Sequence, residues 1–172
     1  MKKGMSAAAP KSATARRSKK FDSLEQEAYL QLWRTYDRLK ELEDRAFERY
    51  ELSAQQYNAL RILRSVRPGT MPTSAIGAKL VSRAPDMTRL LDKLEERGLI
   101  RRERRPENRR VVEVGITAEG TEVLDRLAAE VRRCHEAQLG HLSQKGLREL
   151  IALLKEARGP HEGAEDAWPG NE

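Results

Sequence analysis

The sequence predicts a mainly α-helical fold that carries one small β-hairpin. Two observations support this fold class: apolar residues recur every three or four positions along most of the chain, and two short alternating segments follow Gly98. Charged residues make up 35% of the 172 residues and hydrophobic residues 38%. This apolar content is low for the length, and it fits long amphipathic helices or a core that a second subunit completes.

The first predicted helix starts at Ser23 and continues for more than five turns without Gly or Pro. Its apolar stripe consists of Leu24, Ala28, Leu32, Tyr36, Leu39, Leu42 and Ala46. Such a helix exposes more apolar surface than a small domain covers, so we expect part of it to face a partner subunit. The second helix begins with a capping box formed by Ser53 and Gln56. It ends at Pro68-Gly69.

Two short helical segments follow at 73–80 and 85–97, separated by a four-residue link. Pro85 suits the first turn of a helix, where a missing N–H removes no hydrogen bond. Gly98 suits the left-handed position just past a helix end. We therefore expect the second short helix to begin at Pro85 and to end before Gly98.

The periodicity changes after Gly98. Segments 99–105 and 111–116 read as two strands joined by a charged tip at 106–110. A long helix follows Thr117, and a shorter one ends before Gly159. Two short helices followed by a hairpin are the elements of a winged helix-turn-helix, in which one helix enters the major groove of DNA.

The charge distribution favours a polyanionic partner. The net charge is +6, and the stretch from Arg83 to Arg110 contains ten basic and six acidic residues. On the second short helix Leu90, Leu91 and Leu94 are predicted to pack inward, which leaves outward-facing polar residues. These candidate DNA contacts are Asp86, Thr88, Arg89 and Lys93, together with Arg109 and Arg110 at the hairpin tip and Arg83, which could also contact only phosphate or water.

Three stretches resemble the MarR family of bacterial regulators: Leu-Ser-Ala-Gln-Gln-Tyr at 52–57, Met-Thr-Arg-Leu-Leu-Asp-Lys-Leu-Glu-Glu-Arg-Gly-Leu-Ile at 87–100, and Asn-Arg-Arg-Val-Val-Glu-Val-Gly-Ile-Thr at 108–117. The resemblance implies a homodimer whose terminal helices interlock over a palindromic DNA site. By position it assigns recognition-helix contacts to Thr88, Arg89 and Lys93, and the minor-groove contact to Arg110. The family usually has Asp where this chain has Asn108, so the brace on the wing arginine is expected to be weaker.

The resemblance also implies a domain organisation and an effector. Residues 21–158 form one regulator domain, in which 53–117 are the DNA-binding lobe and 21–50 and 118–158 are dimerisation helices. The resemblance does not cover the ends of the chain, where composition predicts a basic disordered tail (1–20) and an acidic tail (159–172). Family members commonly release DNA on binding a small, often anionic aromatic molecule, and such a pocket could be lined by Trp33, Tyr36 and Tyr57. Aromatic residues at helical spacing are, however, more often core.

The sequence gives little indication of an enzymatic, metal-binding or membrane-spanning site. We find no Gly-rich phosphate loop and no nucleophile elbow, so we expect no enzymatic activity and no cofactor. Cys134, His135 and His141 have poor spacing for a tetrahedral metal site, and Cys134 is expected to be a buried, inert thiol. No apolar run approaches the ~18–20 residues of a membrane span, so we expect a cytoplasmic, nucleoid-associated protein.

The sequence therefore predicts a sequence-specific transcriptional regulator, with repression as the expected mode. Two alternatives stay open. One is a non-specific architectural DNA-binding protein, for which the long helices after the hairpin would be superfluous. The other is an adaptor that binds proteins through the same helices, which would not require an arginine-rich wing.

Overall fold

The structure is a computed structural model that describes residues 20–81, 86–105 and 108–163, and only the backbone of residues 105, 108 and 109. The predicted tails lie largely outside this range, as do Arg83, Pro85 and part of the hairpin tip. The chain divides into two compact units, one ending at Tyr36 and the other beginning at Asp37.

The predicted fold class is confirmed: helices dominate, and a small antiparallel sheet interrupts them. The elements, in chain order, are α1 (Leu24–Glu48), α2 (Ala54–Ser65), β1 (Met71–Pro72), α3 (Thr73–Lys79), α4 (Met87–Glu96), β2 (Ile100–Arg105), β3 (Asn108–Ile116), α5 (Ala118–Leu139), α6 (Gln144–Arg158) and a short 3-10 turn (Gly159–His161).

The ends of the helices follow local sequence chemistry. The predicted capping box of α2 is confirmed, because Ser53 Oγ accepts from the Gln56 N–H at 3.2 Å and Gln56 Oε1 accepts from the Ser53 N–H at 2.9 Å. The predicted left-handed glycine is also confirmed: Gly98 has φ +68° and directly follows Arg97, the C-cap of α4. Thr117 caps α5 by accepting from the Gly120 N–H at 3.0 Å.

The core lies in the unit that begins at Asp37 and joins the helices to one face of the sheet. Its larger fully buried side chains come from α2, α3, α4, β3 and α5: Leu60, Leu63, Ile76, Leu91, Leu94, Val114, Leu124 and Leu127. By contrast, α6 has no buried residue. Several of its apolar side chains therefore stay exposed within the part of the chain that the structure describes.

The sheet differs from the predicted hairpin in two ways. A third strand, β1, pairs with β3 so that Met71 lies opposite Val114, and the strand order is β1-β3-β2. The predicted tip at 106–110 is also too long, because β3 begins at Asn108 and places the backbone of Arg109 and Arg110 in the strand. Backbone pairing can recruit a two-residue segment that no side-chain pattern marks.

The predicted start of α4 at Pro85 is wrong by two residues. The helix begins at Met87, and Asp86 is its N-cap, whose carboxylate Oδ1 accepts from the Arg89 N–H at 2.9 Å. Proline and aspartate are both common at helix starts. Asp86 can satisfy a free backbone donor and proline cannot, which accounts for the observed boundary.

Candidate nucleic-acid interface

Helix α4 separates its apolar and polar residues onto opposite faces. Leu90, Leu91 and Leu94 are buried, as predicted. Thr88, Arg89 and Lys93 are exposed, and Arg89 and Lys93 lie one helical turn apart. The helix thus presents two cations and a hydroxyl on its exposed side, and the buried leucines anchor its other side to the core.

Asp86, another predicted contact, is exposed but serves as the helix cap. Its carboxylate places a negative charge at the α4 N-terminus, where the partial charges of the free backbone N–H groups are positive. The observed role of Asp86 is therefore structural, and its contact with DNA stays a prediction.

Arg102 connects the opening strand of the hairpin to α4, and sequence reasoning did not identify it. Its guanidinium forms ion pairs with Asp92 and, through Nε, with Glu95 Oε2 at 3.1 Å. The Arg102 side chain is only 20% exposed, whereas its neighbour Arg101 is 48% exposed and pairs with Glu103. Arg102 therefore ties the orientation of α4 to the sheet.

The strands of the hairpin carry further exposed cations. Arg104 on β2 and Arg110 on β3 are both exposed. Only the backbone of Arg109 is described, and Arg83 lies outside the described residues. The structure thus places Arg110 on the same sheet that Arg102 joins to α4.

The aromatic residues predicted for an effector pocket have different surroundings. Tyr57 packs on Phe47 with ring centroids 4.9 Å apart. It lines a small cavity of about 20 Å³, roughly the space of one water molecule, together with Glu43, Ala46, Phe47, Val131, Cys134 and His135. Trp33 and Tyr36 are 60% and 61% exposed in the unit that ends at Tyr36.

Two ionisable groups beside this cavity are shifted toward their neutral forms. Burial raises the pKa of the Cys134 thiol, and the carboxylates of Glu43 and Glu130 raise it further. Burial likewise raises the pKa of the Glu43 carboxyl, against the opposing effect of His135. The predicted burial of Cys134 is confirmed. A raised thiol pKa lowers the thiolate fraction and hence the reactivity of Cys134.

Comparisons with known proteins agree with this geometry. The MarR family profile matches residues 52–112, which run from two residues before α2 to the middle of β3. The transcriptional regulator PecS of Dickeya dadantii is 31% identical over 115 residues, covering 64% of this chain and 68% of PecS. The chain belongs to the MarR family. MarR-family proteins are transcription factors and not enzymes, which confirms the predicted class.

Solved MarR-family structures share the fold. The crystal structure of a MarR transcription factor from Planctomyces limnophilus is 58% identical, with a TM-score of 0.64 over 79% of this chain and 98% of that one. A single-residue mutant of Escherichia coli MarR, in complex with operator DNA, is 20% identical, with a TM-score of 0.68 over 78% of this chain and 98% of that one.

Two other kinds of site are absent from the described residues. Within 20–81, 86–105 and 108–163, no helix has the combination of length and apolarity that spanning a bilayer requires. In the same part of the chain, no three His, Cys, Asp or Glu side chains converge on a point where a metal ion could bind, and this includes the predicted weak candidates Cys134, His135 and His141.

Proposed function

We propose that this MarR-family chain is a homodimeric repressor that binds a palindromic operator and is released from it by a small, anionic aromatic ligand. The observation that carries the proposal is the exposed face of α4, where Arg89 and Lys93 project from a helix that buried leucines and Arg102 hold in place. A guanidinium on such a helix can donate two hydrogen bonds to guanine O6 and N7 in the major groove.

The homodimer is supported by exposed apolar surface on the terminal helices. Ile151 and Leu153 of α6 are 53% and 63% exposed, and α1 exposes Leu24 and Leu32 by 56% and 48%. Exposed leucines and isoleucines in this density are typical of surfaces that a second subunit covers. We therefore assign dimerisation to 21–50 and 118–158, and DNA binding to 53–117, within one domain at 21–158.

The ligand part of the proposal is supported by the family resemblance and by the cavity beside Tyr57. That cavity is lined by the rings of Phe47 and Tyr57 and by the side chains of Glu43 and His135, and an entering ligand would widen it. The Escherichia coli MarR mutant was crystallised with operator DNA, which supports a double-stranded DNA partner here. We place the protein in the cytoplasm, at the nucleoid.

The proposal is tested by measuring binding to the promoter region of the protein's own gene by fluorescence anisotropy at two salt concentrations, with and without unrelated competitor DNA. We expect a footprint over an inverted repeat whose half-sites are about one helical turn apart, and we expect binding to survive competition. Affinity that is equal for all sequences and falls steeply with salt would instead indicate the architectural alternative.

The role of Arg89 is tested in the same assay. We expect Arg89→Ala to cost about 1–3 kcal/mol on the operator and to relax base preference at one position of each half-site. Arg61→Ala is the matched control, because Arg61 is an exposed arginine of the same lobe on α2. An unchanged footprint and affinity for the Arg89 variant would remove Arg89 from the binding site.

A further inference from the structure

Helix α1 ends in a hydrogen-bonded turn whose left-handed position is occupied by a residue other than glycine. The Leu52 N–H donates to the Phe47 carbonyl at 3.4 Å and the Glu51 N–H donates to the Glu48 carbonyl at 3.0 Å, which is the Schellman pattern. The left-handed position of this motif is occupied by Glu51, with φ +52°. A residue with a Cβ is strained in this conformation, so the turn needs support from its surroundings.

That support comes from Arg97. Its Nη1 donates to the Glu51 carbonyl at 2.6 Å and its Nη2 donates to the Tyr50 carbonyl at 3.0 Å. One planar guanidinium thus engages two successive backbone carbonyls of the turn, a geometry that suits the fixed fork of arginine. The carbonyl end of a helix carries partial negative charge, so a cation is favourable at this position.

The backbone of Arg97 belongs to the other helix. Arg97 is the C-cap of α4, and the residues after it close α4 in a second Schellman motif: Gly98 N–H donates to Glu95 at 2.8 Å, and Leu99 N–H donates to Leu94 at 2.9 Å. The backbone of Arg97 is fixed at the end of α4, and its guanidinium is fixed at the end of α1. The Arg97 side chain therefore joins the two helix ends.

We infer that Arg97 is a positioning residue for DNA binding, which fixes the C-terminal end of α4 against the turn that closes α1. The inference rests on the proposed function, in which α4 enters the major groove. With Arg102 joining α4 to β2, the helix is held from two sides, by the sheet and by the α1 turn. Arg97 sets the orientation of Arg89 and Lys93 without touching DNA.

The test compares Arg97→Ala and Arg97→Lys with Arg64→Ala in the promoter-binding assay. Arg64→Ala is a matched control: it removes the same charge from an exposed inter-helix pair, with Asp125 at 3.0 Å, that does not involve α4. We expect Arg97→Ala to weaken operator binding about five- to tenfold, as loss of charge-assisted hydrogen bonds to a helix end suggests. Lysine should restore part of the loss, and Arg64→Ala should change affinity less than about twofold.

The salt dependence separates positioning from direct contact. A residue that contacts a phosphate changes the slope of log K against log salt by about 0.9. We therefore expect Arg97→Ala to leave the slope and the affinity for unrelated DNA unchanged. A shallower slope would overturn the inference in favour of a phosphate contact, and so would equal losses for the Arg97 and Arg64 variants.

Hydrogen exchange on the free protein makes the result independent of the proposed function. In Arg97→Ala we expect faster exchange of the amides in 87–99 and 50–52, with circular dichroism and the global melting transition close to wild type. Unchanged exchange in these two segments would overturn the positioning role. If exchange responds as expected but wild-type protein shows no preference for its promoter, the proposed function fails and the coupling of the helix ends stands.

Discussion

Arginines on this surface have distinct surroundings, and those surroundings predict different effects on binding. Arg89 is exposed on α4, Arg102 is mostly covered between α4 and β2, and Arg97 donates to two backbone carbonyls. Exposed arginines are available to an incoming polyanion, whereas paired ones mainly shape the surface that meets it. Mutations of the first kind should alter DNA contacts directly, and mutations of the second kind should alter geometry.

Arg110 on β3 is the residue-scale test of the wing. An arginine in a minor groove narrowed by A·T pairs gains from the enhanced negative potential there. We expect Arg110→Ala to weaken binding to an operator with A·T-rich flanks more than to one with G·C-rich flanks, measured as paired dissociation constants. Arg104→Ala, an exposed arginine on the neighbouring strand, should weaken both equally. Equal losses for Arg110→Ala would argue against insertion into the minor groove.

Gly120 shows how close packing restricts a single residue. A Cβ at this position would clash with the Leu99 carbonyl and lie 2.8 Å from Ile116 Cγ1. We expect Gly120→Ala to destabilise the protein by about 1–3 kcal/mol in urea unfolding, because overpacking outweighs the helix preference of alanine. Gly146 occupies the matching third position of α6, with Ser143 Oγ as its nearest contact at 3.4 Å. Gly146→Ala should be neutral or slightly stabilising, and a loss equal to that of Gly120→Ala would contradict this account.

At the scale of elements, three kinds of contact hold α4 in place. Leucines bury one side, Asp86 caps the start, and Arg102 pairs with two carboxylates across the sheet boundary. A helix of ten residues is marginal by itself in water. Its order therefore depends on these tertiary contacts, and DNA binding depends on its order.

The ion pairs of Arg102 make this dependence measurable. We expect Arg102→Met to lower the free energy of unfolding by about 1–2 kcal/mol, because its charge-assisted contacts are partly shielded from water. Arg101→Met is the control, since its pair with Glu103 is exposed and worth less than about 1 kcal/mol. Urea titrations of both variants would decide the matter. A larger loss for Arg101→Met would show that Arg102 does not anchor α4.

The elements also show where sequence reasoning succeeds. The buried leucines of α4 and the alternation of Val114 and Ile116 on β3 were predictable, because burial imposes a period on side chains. The partners of Arg97 and Arg102 were not predictable. Those of Arg97 lie 46 and 47 residues away and those of Arg102 lie 10 and 7 residues away, and neither set follows a local period. Glu113, buried at 2% exposure on β3, likewise stands at a position that strand alternation assigns to the polar face.

At the scale of the whole molecule, the proposed dimer accounts for apolar surface that the described chain leaves exposed. We expect the wild-type protein to have twice the chain mass in light scattering, and Ile151→Glu on α6 to shift it toward the monomer, because a charge on a buried apolar contact is costly. Val81→Glu is the control, since Val81 is 67% exposed but lies between α3 and α4, outside the helices proposed to form the dimer. A wild-type monomer that stays monomeric on DNA would contradict the proposed dimer and, with it, the palindromic site.

The absence of buried residues in α6 makes the folding of this helix depend on the concentration of the protein. A fifteen-residue amphipathic helix with little tertiary cover among the described residues is at the edge of stability, so in the proposed dimer its folding would be completed by association. The concentration of the regulator would then control both its shape and its occupancy of DNA. If the protein is the dimeric repressor proposed above, its subunits would separate as cells dilute it, and transcription would resume at a threshold of copy number even without any inducer.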